Sequence, residues 1–164
     1  LARLMPGISY LIPWFMLFTK LKMVDTYTAM IASHMLVGMP LIVWIMVNYF
    51  DGLPRELEEA AQVDGCTLQQ TFMRVVLPLS GPGVITASTL SFLFSWNNFM
   101  FALVLSADRT KPLPIAIYSF VSYAEVSWGA VMAAAVVIIA PAIVLTMFFQ
   151  RYVIKGLTMG AVKG

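Results

Sequence analysis

The sequence predicts an all-α membrane protein, a polytopic bundle of transmembrane helices. Three observations carry this. The 164 residues are 60% hydrophobic and only 11% charged, where a soluble domain carries about a quarter charged residues. The mean hydropathy is +0.86. Several apolar runs approach or exceed the ~20 residues a helix needs to cross the hydrocarbon core. These runs are continuous, unlike the alternating strands of about ten residues that build a membrane barrel. Helices also satisfy their backbone groups within the segment, as lipid demands.

Four segments fit. Residues 1–18, "LARLMPGISYLIPWFMLF", are short and hold Arg3, Pro6 and Pro13. The segment either starts inside a helix or bends at its prolines. Residues 27–50 form the second and residues 79–105 the third. Residues 128–149, "WGAVMAAAVVIIAPAIVLTMFF", form the cleanest. Residues 106–127 are semi-polar and punctuated by proline. They suit an outer-surface or re-entrant position, with a short interfacial helix over 113–121. The chain opens at Leu1 without methionine and without a signal-peptide pattern. It reads as a piece of a longer protein, and missing spans would leave helix faces unpaired.

Lysine and arginine in the short loops set orientation. Four spans place Arg55, Arg74, Arg151, Lys155, Lys163 and Arg3 on one side, against Lys20, Lys22, Arg109 and Lys111 on the other. The bias puts residues 51–78 in the cytoplasm. Trp14, Tyr27, Tyr49, Phe50, Trp128 and Tyr152 lie near span ends, as interfacial anchors do.

Residues 54–78, "PRELEEAAQVDGCTLQQTFMRVVLP", are the most polar part of the chain. The stretch predicts two short helices and a hinge. Pro54 suits a helix's first turn, and residues 55–63 are mostly good helix formers. Glu56, Glu58 and Glu59 lie at the positive end of the dipole. Leu57, Ala60 and Ala61 share a small, flat face. Gly65 is a natural stop. Thr67 with Gln70 is a capping-box signature for the second helix, which Pro78 ends. By pattern alone the block is either a plain surface loop or a surface another protein touches.

The spacing Glu59-Ala60-Ala61, three residues, Gly65, nine residues, Val75-Val76-Leu77-Pro78 resembles the EAA loop of ABC-importer permeases. Valine for isoleucine at Val75 is the one departure. "SWNNFMFALVLS", residues 95–106, is similar to a stretch in carbohydrate-importer permeases, and "FQRYVIKGLTMGAVKG" resembles the ending of their maltose-permease G-type branch. The resemblance covers essentially the whole chain, as about four spans of an expected six. It implies one permease domain over 1–164, with a cytoplasmic coupling loop at 51–78 that seats in an ATPase subunit. Ala60 and Ala61 would give close contact, Gly65 the bend and Glu59 polar contacts, with Val75, Leu77 and Pro78 completing the motif. Residues 156–164 would also rest against the ATPase. The implied partners are an ATPase dimer, a second permease, an external sugar-binding protein, a sugar and the bilayer of a prokaryotic inner membrane. The cargo alternatives are glycerol phosphate, a polyol or an amino acid.

Trp96, Asn97 and Asn98 are candidates for the substrate path. Amides offer donors and acceptors to hydroxyls and indole offers a flat face; the competing role is interhelical hydrogen bonding. His34 suits a proton relay or a structural hydrogen bond. Twelve methionines suit adaptable packing. A net charge of +2 without a basic run argues against nucleic acid. The single Cys66 excludes an internal disulfide and a paired-cysteine zinc site. No P-loop occurs, so ATP hydrolysis is expected in a separate subunit, and no metal or other cofactor is expected. A membrane-embedded hydrolase has one sketch only, His34 with Ser88, Ser91 or Ser95.

Overall fold

The computed structural model describes residues 8–121 and 126–159. Arg3 and Lys163 lie outside them, and of the segment 156–164 only the helical backbone to Met159 is described. Nine α-helices form among the described residues: α1 Ile8–Lys20, α2 Tyr27–Asp51, α3 Glu56–Val63, α4 Leu68–Thr71, α5 Leu77–Leu79, α6 Gly81–Trp96, α7 Phe99–Leu105, α8 Leu113–Ala116 and α9 Trp128–Met159. A π-helical turn, Phe72–Val76, links α4 to α5, and a 3-10 turn, Ile117–Phe120, follows α8.

Two helices are long and apolar enough to cross a membrane, Tyr27–Asp51 and Trp128–Ile154. A third span exists if Leu68–Leu79 and Gly81–Trp96 count together, although 70° separates their axes. The stretch expected as one span over 79–105 is therefore interrupted twice. It follows that bend, and it breaks at Asn97 and Asn98. The last helix runs ten residues past the expected end at Phe149.

The chain divides into two compact units, residues 1–40 with 92–145, and residues 41–91 with 146–164. In the first, α1 packs on α7 and α7 on α8. Phe18, Ala29, Met30, Phe101, Ala102, Leu105 and Ile115 are its buried core. α1 ends in a Schellman-type pair of bonds, Lys22 N–H to Thr19 O and Met23 N–H to Phe18 O. The left-handed position falls on Lys22, at φ 54°. Asp25 then also takes positive φ, 60°, where non-glycine residues are uncommon. Its reward is a clamp. The carboxylate accepts from the N–H groups of Ala107, Arg109 and Thr110 and from the Thr110 hydroxyl, at 2.8 to 3.2 Å. Desolvation opposes its ionisation, but these donors outweigh it and hold the carboxyl well below its usual range, at about 2.

In the second unit, Tyr49 of α2 is buried and lies over Gly83. A Cβ on Gly83 would stand 2.5 Å from the Tyr49 ring, so only glycine permits this approach. The Thr86 hydroxyl lies 2.8 Å from the carbonyls of both Pro82 and Tyr152. Ser80, fully buried at the bend, donates to Val76 O at 2.7 Å.

Candidate functional site

The polar block folds as the expected pair of short helices, except that Pro78 does not end the second. That helix runs from Leu68 through the π turn and Pro78 to Leu79 and breaks at Ser80, because the wider turn moves the Arg74 carbonyl away from the proline ring. Arg55 is the N-cap of α3, and Pro54 sits one position earlier than anticipated, its carbonyl accepting the Leu57 N–H at 3.3 Å. Glu56, Glu58 and Glu59 occupy the first turn, where carboxylates meet the dipole's positive end. Gly65 takes φ +87° with open space around it. Its N–H reaches Gln62 O and the Cys66 N–H reaches Ala61 O, both at 3.0 Å. This is a Schellman cap with glycine at its left-handed position. Thr67 and Gln70 form the full capping box: Thr67 N–H to Gln70 Oε1 at 2.9 Å and Gln70 N–H to Thr67 Oγ1 at 3.3 Å.

The motif residues part company in exposure. Ala61 is buried at 7%, turned into the unit, whereas Ala60 beside it is exposed. Glu59 is exposed, Val75 is half-buried, and Leu77 and Pro78 are exposed. Val63 and Leu68 flank the hinge at 87% and 76% exposure, so the turn presents two bare apolar side chains. Phe50, Asp51, Arg55, Glu58, Glu59 and Gln62 line a polar cavity of about 800 Å³ beside α3. Sequence reasoning missed the π turn. Its signal was Pro78. Proline lacks an N–H, and its ring crowds the carbonyl four residues earlier, here Arg74.

The other candidates gather where the α6–α7 run breaks. Trp96 donates from its indole Nε1 to Ile138 O at 3.0 Å. Asn97 bonds back to Leu93 O at 2.8 Å. Asn98 caps α7, its Oδ1 accepting the Phe101 N–H at 3.4 Å. The asparagines thus serve the break itself, through local bonds, and only the tryptophan bonds to another helix. His34 Nδ1 lies 2.5 Å from Ser95 Oγ. Of the serines sketched for a hydrolase, Ser95 is the one that meets it. A triad needs a third group orienting the ring, and His34 Nε2 has no hydrogen-bond partner among the described residues. Among the described residues no cluster suited to a metal ion occurs.

Long apolar helices interrupted by a capped, polar two-helix insert define a polytopic membrane protein. The sequence profile of the binding-protein-dependent transport system inner membrane components matches residues 1–159, and the chain belongs to that family. It is 40% identical over 162 residues to the trehalose/maltose transport system permease protein MalG of Thermococcus litoralis, covering 97% of this chain and 58% of that protein. It is 38% identical to the trehalose transport system permease protein SugB of Mycobacterium tuberculosis, covering 100% of this chain and 61% of that protein. To the diacetylchitobiose uptake system permease protein DasC of Streptomyces coelicolor the identity is 34%, with 100% and 60% covered. The chain thus spans less than two thirds of these relatives.

Proposed function

We propose that the chain is one permease domain, over residues 1–164, of an ATP-driven importer for a mono- or oligosaccharide in a prokaryotic inner membrane. Residues 51–78 are its cytoplasmic coupling element, seated in a groove of an ATPase subunit. One observation carries the assignment. The motif Glu59-Ala60-Ala61 to Gly65 coincides with a short helix closed by a Schellman cap, followed by a capping box and flanked by bare Val63 and Leu68. Local bonds stiffen both sides of the hinge, so the pair can act as a lever. Ala60 faces outward for close contact, Ala61 anchors the helix inward, Gly65 makes the bend and Glu59 offers polar contacts. Val75, Leu77 and Pro78 carry the lever to the bend at Ser80. Closure of an ATPase dimer would then favour one arrangement of the spans over another.

The sugars in the relatives' names, trehalose, maltose and diacetylchitobiose, support a sugar cargo. Trp96, Asn97 and Asn98 are the substrate-path residues of this reading, and the His34–Ser95 pair adjoins them. The remaining partners are a second permease and an external sugar-binding protein. The test uses Cys66, half-buried beside Gly65. The full-length permease is assembled with its ATPase carrying one groove cysteine. A crosslink to Cys66 whose yield changes with ATP is expected. No crosslink from position 66 or its neighbours, in an assembled complex, would return the block to a plain surface loop.

A further inference from the structure

Among the described residues, six buried polar side chains occur, and all carry hydroxyls. Five have hydrogen-bond partners: Ser33, Ser80, Thr86, Thr89 and Thr110. The sixth, Thr71, is 3% exposed and its Oγ1 has none. Buried polar groups are nearly always paired, so such an exception asks for a cause. Thr71 stands at the junction where α4 passes into the π turn.

That turn has one residue too many for an α-helix. The Leu77 N–H reaches back five residues to Phe72 O; an α register would pair it with Met73 O. Turns of this kind are rare and recur at functional sites. Pro78 supplies the local reason. In an α register its ring would press on the Arg74 carbonyl, and widening the turn moves that carbonyl away.

The chain is firm on either side. Upstream, α3 and α4 are closed by the Schellman cap and the capping box. Downstream, Ser80 is bonded to Val76 O, Gly83 is pressed against the Tyr49 ring, and the Thr86 hydroxyl lies 2.8 Å from Tyr152 O. Strain applied to such a chain collects in the turn between its stiff parts.

We propose that the π turn Phe72–Val76 is the moving joint of the coupling element, switching between π and α registers as the ATPase pushes on α3. The proposal rests on the reading of residues 51–78 given above. A one-residue change of register displaces one flank against the other by about 1.5 Å along the axis and roughly 100° around it. It re-pairs the backbone N–H groups across the turn, Leu77 N–H passing from Phe72 O to Met73 O. The Pro78 ring disfavours the α register in the free permease, so that register is reached only through differential contact with a partner. The unmet Thr71 hydroxyl lies at the upstream edge of that joint.

The experiment removes the surplus residue. Met73 is 55% exposed, and deleting it lets the turn close as an α-helix with both flanks nearly in place. In the full-length permease, assembled with its ATPase, this deletion should lower sugar uptake about tenfold, within the ordinary range of allosteric coupling. ATP hydrolysis should persist. Inserting one alanine after Val75 in the deleted chain should restore uptake, because the count of residues matters and not their identity. Wild-type uptake by the deletion variant, or a loss that reinsertion does not repair, overturns the joint. Should the deleted permease fail to reach the membrane, spin labels at Gln69 and Leu79 decide. Their distance distribution must change between nucleotide-free and ATP-trapped complexes, and an unchanged distribution overturns the proposal. Gly65→Leu separates the two readings. If that variant transports normally, the coupling assignment itself falls; if it is inactive while the Met73 deletion transports, only the joint falls.

Discussion

The connection between α1 and α2 and the connection between α2 and α6 solve the same problem in opposite ways. The first spans residues 21–26 and is drawn inward. Asp25 spends its carboxylate on four donors from residues 107–110. The second spans residues 52–80 and satisfies itself locally, through a Schellman cap and a capping box, leaving Val63 and Leu68 bare. A loop that only has to hold two helices is tied to the body of its own unit. On the coupling role proposed for residues 51–78, a loop to be grasped keeps its bonds to itself and leaves Val63 and Leu68 free.

The largest effect should come from untying the first loop. Asp25→Ala leaves three backbone N–H groups without their acceptor and an alanine at positive φ, and should give the greatest loss of thermal stability among these variants, read by a melt in detergent. Acid tests the same clamp. The folded carboxyl titrates at about 2 against 3.8 unperturbed. Its contribution is therefore complete above about 3.8 and is lost as pH falls toward 2. Asp25→Asn should abolish the pH dependence of melting in that window. An unchanged slope would show that the clamp is not what titrates.

Next comes Gly65→Val. Nothing crowds the site, so the cost is backbone strain alone, about 1–2 kcal/mol. Uptake should vanish while the permease remains in the membrane, and normal transport would break the contrast between a loop that holds and a loop that is held. Thr67→Ala removes half of the capping box and should cost about 1 kcal/mol, with a partial loss of uptake. Smallest in stability is Val63→Ser, an exposed change expected within about 0.5 kcal/mol. It should nevertheless weaken ATPase binding to detergent-solubilised permease, and unchanged affinity would remove Val63 from the docking surface.

What the sequence made legible was local. The apolar runs gave α2 and α9. Gly65 announced the stop and Thr67 with Gln70 the cap, because those signals act within four residues. The third span was read as continuous over 79–105. Its break at Asn97 and Asn98 was missed because two asparagines among apolar residues look like a ligand site as readily as a helix cap. Ala60 and Ala61 looked equivalent by spacing, yet packing turns only one of them inward. Asp25 carried no signal at all. Its partners lie 82 to 85 residues away, and nothing nearby distinguishes it from any loop aspartate. The pairing of His34 with Ser95 crosses 61 residues and was visible only as one of three serine choices.

The Asp25 clamp also sets a timetable. Its acceptor is made early and its donors, from Ala107 onward, at least 82 residues later. At about 5–20 residues per second of synthesis, the carboxylate waits roughly 4–16 s for them. Through that interval α1 and α2 leave the ribosome with their connecting turn unlatched. The arrival of residues 107–110 ends that interval.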